Sequence, residues 1–246
     1  MSRGPVLILG ARSDIGRAIA HRFAAAGHPV QLAARDAASL EPDRADLSLR
    51  HGVEVTLHEV DALDTGSHGA FVDGLPVLPE VAVSAIGLLG DQRESADDPS
   101  GAALRVMRSN FEGPASLLGV LANRMEARGA GTLVGISSVA GDRGRASNYV
   151  YGSAKAGFTA YLSGLRNRLA GPGGHVVTVK PGFVATAMTE GMDLPDRLTA
   201  RPAEVAEAVL RAVQRGRNVI YVRPIWALVM AVIRALPEPL FKRTDL

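Results

Sequence analysis

Residues 6–20, VLILGARSDIGRAIA, run from an apolar strand pattern through a short turn into an amphipathic helix pattern. Gly10 and Gly16 lie around the junction of that strand and helix. Glycine lets the backbone approach a ligand closely, and a helix N-terminus offers free N–H groups at the positive end of its dipole. The spacing differs from the common G-x-G-x-x-G fingerprint. Two interpretations therefore stay open: a binding site for a nucleotide pyrophosphate and a plain tight turn.

Six further short apolar runs alternate with helical patterns, at residues 29–34, 53–60, 81–86, 132–137, 175–180 and 219–222. Near-continuous apolar strands separated by helices indicate a parallel sheet covered on both faces. The 246 residues, 47% of them hydrophobic, suffice for one full core. We therefore predict an α/β fold, a Rossmann-type doubly wound sheet of seven parallel strands. It forms a single domain over residues 1–223, and an apolar C-terminal appendage follows at residues 224–246.

Composition excludes several classes of function. The chain has 27 Lys and Arg against 25 Asp and Glu, a formal net charge of +2, and no Cys. This balance does not favour general nucleic-acid binding, and the lack of Cys excludes disulfides and thiolate chemistry. The apolar run near the N-terminus is too short for a membrane span and lacks a signal-peptide layout. We predict a cytoplasmic protein with no nucleic-acid partner and no metal site.

The stretch NYVYGSAKAG, residues 148–157, places Tyr151 and Lys155 four residues apart, so both share one face of a helix. A phenol, with a pKa near 10, is a poor acid–base group at neutral pH unless nearby positive charge lowers its pKa. A drop of about 3 units requires roughly 4 kcal/mol, which an ammonium beside an oxidised nicotinamide would supply. Lysine also donates to ribose hydroxyls, where a planar guanidinium fits badly. The pair therefore predicts a proton-transfer site.

Polar residues elsewhere in the chain suit the same chemistry. Ser138 follows the strand at residues 132–137, so it lies at the carboxyl edge of the sheet, where ligands of open α/β sheets bind. Asn110 lies in the helical stretch MRSNFEG, and KPGFVATAM follows the strand at residues 175–180.

Together these stretches resemble the short-chain dehydrogenase/reductase family, and the resemblance extends to about residue 222. It is carried by the Ser of ISSVAG, the Asn of NFEG, the Tyr and Lys of YGSAK, and the turn PGFVAT. The resemblance implies an NAD(P)-dependent oxidoreductase that transfers a hydride between a nicotinamide and a carbonyl or secondary alcohol. It implies that Ser138 polarises the carbonyl while Tyr151 transfers the proton. Lys155 would hold the ribose and tune the tyrosine, and Asn110 would support a water relay. A homodimer or homotetramer is expected for the same reason.

The resemblance also implies a cofactor site along the first turn and the carboxyl ends of the strands. Asp14 replaces the family's usual middle glycine, and we predict that its side chain caps the helix by accepting from backbone N–H groups. The family's NNAG is here SAIG, residues 84–87, which retains Gly87 for close approach. Asp61 suits an adenine contact or, alternatively, a turn cap. The predicted cofactor residues are Gly10, Arg12, Ser13, Asp14, Ile15, Gly16, Arg35, Asp61, Ala62, Ala85, Gly87, Tyr151, Lys155, Pro181, Gly182, Val184 and Thr186.

The choice of cofactor depends on LAARD, residues 32–36, at the end of the second strand. Sites that select NAD usually place a carboxylate there, to accept a hydrogen bond from the ribose 2′-OH. Ala34 occupies that position and Arg35 follows it, and an arginine can hold a 2′-phosphate through a bidentate contact. NADP(H) is therefore the favoured cofactor. NAD(H) is the alternative, because Asp36 takes the acidic role if the strand ends later.

A closer resemblance concerns the substrate. The stretches DALDTGSH, GLLGD, SSVAGDRGRASNYVYGSAKAG and IWALVMAVIRALPEPLFKR are similar to keto-reductase subunits of decaprenylphosphoryl-β-D-ribose 2-epimerases. This similarity implies reduction of a polyprenyl-phosphate-linked keto-sugar, although that relative uses NADH. Two alternatives stay open: a reductase of acyl or small-molecule ketones, and a dinucleotide-binding regulator without catalysis.

Residues 223–243, RPIWALVMAVIRALPEPLFKR, hold an apolar run between basic flanks. The run is shorter than the about 20 residues that a bilayer span needs. It suits peripheral contact with a membrane interface, where the basic flanks would lie near anionic headgroups. It suits equally a helix that packs in a subunit interface or over the substrate cleft.

Overall fold

The computed structural model describes residues 3–244. Its strands, in chain order, are β1 (Val6–Leu9), β2 (Val30–Ala34), β3 (Val55–Glu59), β4 (Val81–Ser84), β5 (Gly131–Ile136), β6 (Gly174–Pro181), β7 (Phe183–Val184), β8 (Thr199–Ala200) and β9 (Val219–Val222). Seven of them form one parallel sheet in the order β3-β2-β1-β4-β5-β6-β9, and β7 pairs with β8 separately. Each apolar run identified in the sequence overlaps one strand of this sheet. The predicted Rossmann-type sheet of seven parallel strands is confirmed.

Helices cover both faces of the sheet. They are α1 (Asp14–Ala24), α2 (Glu41–His51), α3 (His68–Asp73), α4 (Gln92–Asp97), α5 (Ala102–Met107), α6 (Gly113–Arg128), α7 (Tyr149–Leu169), α8 (Pro202–Gln214), α9 (Ile225–Ala235) and α10 (Glu238–Phe241). The core on one face is built with α1, α2 and α8, and the core on the other with α3, α6 and α7. Strand β1 divides between them, because Val6 and Ile8 join the first core while Leu7 and Leu9 join the second. This alternation follows from the two-residue period of a strand.

The strand order reverses between β1 and β4. Val6 of β1 lies beside Val30 of β2 on one side and beside Val81 of β4 on the other. The chain therefore leaves β1 and β4 toward opposite halves of the sheet, and a crevice opens at their carboxyl ends. Gly10 turns the chain into this crevice with a φ of +82°. A Cβ there would lie 2.9 Å from the backbone N of Ile86, so the close approach of the two strand ends requires glycine.

The C-terminal helix α9 packs against the end of the sheet with one face. Trp226, Met230 and Ile233 are buried there against Val139, with Phe183 at the edge of the cluster. The opposite face leaves apolar side chains exposed, at Ile225, Leu228 and Val232. Within the described part of the predicted appendage, residues 224–244, α9 thus shares a small core with Val139 and Phe183. Residues 245–246 lie outside the described residues, and the boundary at residue 223 stays a prediction. Within residues 3–244, no helix has the length and apolar character needed to cross a bilayer.

Candidate active site

Three of the predicted catalytic side chains meet at the carboxyl end of β5. Ser138 follows this strand and its Oγ accepts a hydrogen bond from the backbone N–H of Ala140 at 3.1 Å. Tyr151 lies in the first turn of α7, and its hydroxyl forms a hydrogen bond with Ser138. Lys155, one turn later, has its Nζ 5.7 Å from the centre of the Tyr151 ring. The i, i+4 spacing thus brings the lysine and the tyrosine together, as predicted.

Lys155 is buried beneath this cluster, with only 3% of its surface exposed. Its Nζ donates to the carbonyl oxygen of Ile136, at the end of β5, at 3.0 Å. Burial lowers the pKa of Lys155 to about 7, because an ammonium loses its hydration in a low-dielectric site. The side chain therefore changes its charge near neutral pH, where an exposed lysine stays fully protonated.

Burial dominates the pKa of the Tyr151 phenol, and the lowering expected beside an oxidised nicotinamide stays a prediction. Burial raises the pKa of Tyr151 to about 12, and the hydrogen bond from Ser138 lowers it to a smaller extent. Lys155 does not offset the effect of burial, because removal of water penalises both the phenolate and the ammonium that would stabilise it. The phenol is therefore protonated at neutral pH. This is the form that donates a proton to a carbonyl oxygen during reduction.

Asn110 lies in a π-helical turn, Arg108–Glu112, that joins α5 to α6. Its side chain is fully buried, and Nδ2 donates to the carbonyls of Leu88 at 2.6 Å and Val106 at 2.8 Å. Its Oδ1 accepts from the N–H of Leu88 at 3.2 Å. The amide thus holds the loop that follows β4. A water relay through Asn110 stays a prediction, since all of these contacts are structural.

A cleft of about 360 Å³ opens at the carboxyl ends of β1, β2 and β4. Eight predicted cofactor residues line it: Gly10, Arg12, Ser13, Arg35, Asp61, Ala62, Ala85 and Gly87. Arg12 donates to the backbone oxygen of Arg35 at 3.3 Å, so the two residues lie at the same end of the cleft. Asp61 accepts from the N–H of Leu63 at 2.9 Å, so it caps the turn. It also lines the cleft, where an adenine contact was predicted.

A second cavity of about 160 Å³ adjoins this cleft, since Ala85, Ile86 and Gly87 line both. Its wall contains eight further predicted residues: Ile15, Ser138, Tyr151, Lys155, Pro181, Gly182, Val184 and Thr186. Trp226 packs behind this wall, because a Cβ at Gly182 would lie 2.0 Å from the indole ring. The elongated cleft thus leads directly to the tyrosine, the lysine and the serine.

Asp14 makes a different contact from the one expected. The helix cap assigned to Asp14 is wrong: Ser13 caps α1, with its Oγ accepting from the N–H of Gly16 at 3.0 Å. Asp14 is the first residue of α1 and directly follows this cap. Its Oδ2 instead accepts from the N–H of Ala187 at 2.8 Å, in the segment after β7. Neither Asp14 nor Gly16 lines the two cavities.

The sequence-based site omitted several residues of the two cavities. Arg105 of α5 adds a third guanidinium to the larger cleft. The smaller cavity also contains Leu89, Arg145, Asn148, Met188 and Met192. Their positions come from loops and from one short helix, where no periodic pattern distinguishes a lining residue from a solvated one. The sequence gives no signal for them beyond their closeness to the motifs.

A doubly wound sheet, a cleft at its switch point and an adjoining Ser–Tyr–Lys cluster define an NAD(P)-dependent oxidoreductase that acts on alcohols or ketones. Residues 5–195 match the family model described as short chain dehydrogenase, and the chain belongs to that family. The family predicted from the motifs is therefore confirmed. The finer resemblance to the epimerase keto-reductases finds no counterpart in the relatives described below.

Known proteins similar to this chain agree with this assignment. An uncharacterized oxidoreductase of Mycobacterium tuberculosis is 41% identical over 246 residues, covering 97% of this chain and 96% of that protein. A short-chain dehydrogenase from Sphingobium yanoikuyae in complex with NADPH superposes with a TM-score of 0.79 at 25% identity, covering 96% and 97% of the two chains. An actinorhodin polyketide ketoreductase variant with NADPH gives 0.77 at 26% identity, covering 89% and 95%.

Proposed function

We propose that this protein reduces the carbonyl group of a ketone to a secondary alcohol with NADP(H) as the cofactor. The observation that carries the proposal is the protonated phenol of Tyr151, hydrogen-bonded to Ser138 in a cavity that continues into the larger cleft. A bound nicotinamide would supply the hydride. Tyr151 donates the proton to the carbonyl oxygen, and Ser138 donates a hydrogen bond to that oxygen as negative charge develops on it.

The residues of the cleft fit a dinucleotide. The cleft is lined by the arginines near the end of β2 and by Ser13 at the N-terminus of α1, and it adjoins the second cavity, which contains the tyrosine. Ser13 and the first turn of α1 suit a pyrophosphate, since a helix N-terminus favours negative charge. Lys155 lies where it would donate to ribose hydroxyls, at the junction of cleft and cavity, and this contact would favour its charged form.

Charge at the far end of the cleft favours NADP(H) over NAD(H). Ala34 ends β2 where a carboxylate would select NAD, and the guanidinium groups of Arg12 and Arg35 flank that end. Asp36 adopts a left-handed conformation with a φ of +53° and forms an ion pair with Arg12 at 3.9 Å. A 2′-phosphate there would pair with Arg35 and would compete with Asp36 for Arg12. The NADPH-bound relatives support the same choice.

The experiment is a comparison of NADPH and NADH oxidation by the purified enzyme with a panel of ketones. Replacing Arg35 by alanine should raise the KM for NADPH about 10-fold or more while leaving the KM for NADH nearly constant, because only NADPH carries the paired phosphate. Arg3→Ala is the matched control, since Arg3 is exposed and precedes β1 at the opposite edge of the sheet. A wild type that prefers NADH, or equal effects on both cofactors, would refute the NADP(H) assignment.

The substrate itself is proposed only by class. A polyprenyl-phosphate-linked keto-sugar follows from the closer sequence resemblance, and acyl or small-molecule ketones are the alternative. Ile225, Leu228 and Val232 form an exposed apolar row on α9, which supports peripheral contact with a membrane from a cytoplasmic location. We also propose a homodimer or homotetramer, as is usual in this family.

A further inference from the structure

Arg145 is a charged residue of the substrate-side cavity to which the reaction described above gives no role. It lies in the loop between β5 and α7, six residues before Tyr151, and lines the same cavity as Tyr151 and Ser138. Its guanidinium is partly buried, and this burial lowers the pKa of Arg145 with no carboxylate opposing the effect. Within residues 3–244, its buried Nε has no hydrogen-bond partner. The cavity wall therefore contains a cationic side chain whose Nε is unpaired among the described residues.

Arg143, in the same loop, has a structural role. Arg143 donates to the carbonyls of Ile233 and Leu236, both at 2.6 Å, and to Glu238 at 3.0 Å. Its guanidinium also stacks on the ring of Phe241 at 3.7 Å. Arg143 thus satisfies its donors within the protein, and it holds the end of α9. Arg145 makes no comparable contact among the residues that the structure describes.

Among the residues that the structure describes, the cavity lining contains no carboxylate that could pair with Arg145. Much of its wall is apolar, with Leu89, Val139, Met188 and Met192 among its side chains. Lys155 is the other charged residue of the wall, and its Nζ is already bound to the carbonyl of Ile136. Asn148 also lines the cavity, and its buried side-chain oxygen lacks a partner within the described part of the chain. A donor and an acceptor without partners among the described residues thus lie in the wall of the same cavity.

We propose that Arg145 and Asn148 form a subsite for a ketone that carries an oxyanion, a carboxylate or a phosphate. The subsite rests on the proposed function, because the same cavity presents Tyr151 to the carbonyl. The guanidinium offers a planar pair of N–H donors that matches the two oxygens of either anion. Asn148 accepts a hydrogen bond from a hydroxyl beside the anion. A buried donor left without a partner weakens binding of a neutral analogue, so the subsite selects against uncharged ketones.

The first experiment observes Arg145 directly and needs no turnover. The enzyme is labelled with 15N in arginine and saturated with NADP+, and the Nε–H resonance of Arg145 is assigned by its loss in Arg145→Lys. Acetate and inorganic phosphate are then titrated at constant ionic strength. We expect a saturable shift of this resonance with at least one probe and no shift of the Arg3 resonance. An Arg145 resonance that does not respond, or that follows Arg3, would overturn the subsite.

The second experiment measures selectivity. Levulinate is compared with methyl levulinate, and dihydroxyacetone phosphate with dihydroxyacetone. The ratio of kcat/KM for the charged to the neutral ketone should fall about 10- to 100-fold in Arg145→Gln, since a charge-assisted hydrogen bond is lost. Arg145→Lys should recover part of the ratio, and Arg3→Gln should leave it constant. Whichever pair loses more identifies the preferred anion.

The two proposals fail in different ways. A ratio unchanged by Arg145→Gln, with turnover still present, would overturn the anion subsite and leave the reductase intact. A larger KM for NADPH in Arg145→Gln would assign Arg145 to the cofactor and overturn the subsite as well. If the wild type oxidises NADPH with none of these ketones, the titration of the labelled arginine still decides on the subsite, while the proposed reaction loses its support.

Discussion

Replacing Trp226 with alanine should lower the free energy of unfolding by about 3 to 5 kcal/mol. Only 5% of the Trp226 surface is exposed, and the indole contacts Gly182 in the wall of the substrate-side cavity. Its Nε1 donates to the carbonyl of Leu198 at 3.0 Å, and its ring packs edge-on against Phe183 at 5.5 Å. The substitution removes all of these contacts at once. It also leaves the carbonyl of Leu198 without its donor.

For a chain of this length, each 1 kcal/mol corresponds to about 2 to 4 °C in Tm, so we expect a fall of about 6 to 20 °C. Trp226→Phe retains most of the packing and loses the hydrogen bond, which costs about 1 to 3 kcal/mol. Leu228→Ala is the control on the same helix, because 68% of the Leu228 surface is exposed. This change should stay within about 0.5 kcal/mol.

The measurement is thermal unfolding followed by circular dichroism, with and without saturating NADPH. Bound NADPH raises Tm by mass action, and Trp226→Ala should reduce that gain, because the wall at Gly182 loses its support. A change in Tm below about 2 °C would show that α9 lies on the domain without contributing to its core. In that case the original description of residues 224–246 as an appendage would stand.

Three further predictions concern the site and the membrane. Tyr151→Phe should lower kcat about 10²- to 10⁴-fold with an almost unchanged Kd for NADPH, and turnover within about threefold of wild type would remove Tyr151 from the mechanism. Burial lowers the pKa of Lys155 to about 7 from 10.5, so between these values the unfolded chain binds a proton that the folded one does not. Urea titrations should therefore show that the free energy of unfolding of the wild type, relative to Lys155→Met, rises from pH 7 to 10 by up to about 1.4 kcal/mol per pH unit. A difference between the two proteins that stays constant with pH would contradict the buried lysine. Tyr151, with its pKa at about 12 against 10.0, contributes only above that window. Finally, the wild type should co-sediment with anionic vesicles at low salt more than a Leu228→Glu variant does, and no sedimentation of either would leave membrane contact without support.

Local patterns predicted most of the fold and the centre of the site. The seven strands are recognisable because a strand buried on both faces must be apolar throughout, as VLIL is. Tyr151 and Lys155 are recognisable because helical geometry fixes residues four apart onto one face. Gly10 is recognisable because a strand–helix turn with a positive φ favours glycine. Each of these signals is contained within a few residues of sequence.

Contacts between distant residues were not predictable in the same way. Asp14 accepts from Ala187, 173 positions along the chain, and no local rule connects the two. The expected helix cap failed because Ser13 already fills that position. The pKa of Tyr151 depends on burial by several elements, and a motif records charge but not desolvation. A motif therefore predicts where Tyr151 lies, whereas its pKa depends on the folded surroundings.

The stretch GDRGR, residues 141–145, shows how neighbouring charges divide between folding and recognition. Asp142 forms a buried ion pair with Lys180 of β6 and accepts from the hydroxyl of Tyr221 of β9 at 2.7 Å. Burial and the Asp142 carboxylate together raise the pKa of Tyr221 to about 12, which keeps this hydroxyl a donor at neutral pH. Arg143 binds the end of α9, so the loop is fixed to the sheet on one side and to the C-terminal helix on the other. These contacts fix the loop two residues before Arg145, and a donor on an ordered loop needs less ordering on binding. The anchoring of Asp142 and Arg143 therefore supports a role for Arg145 in recognition.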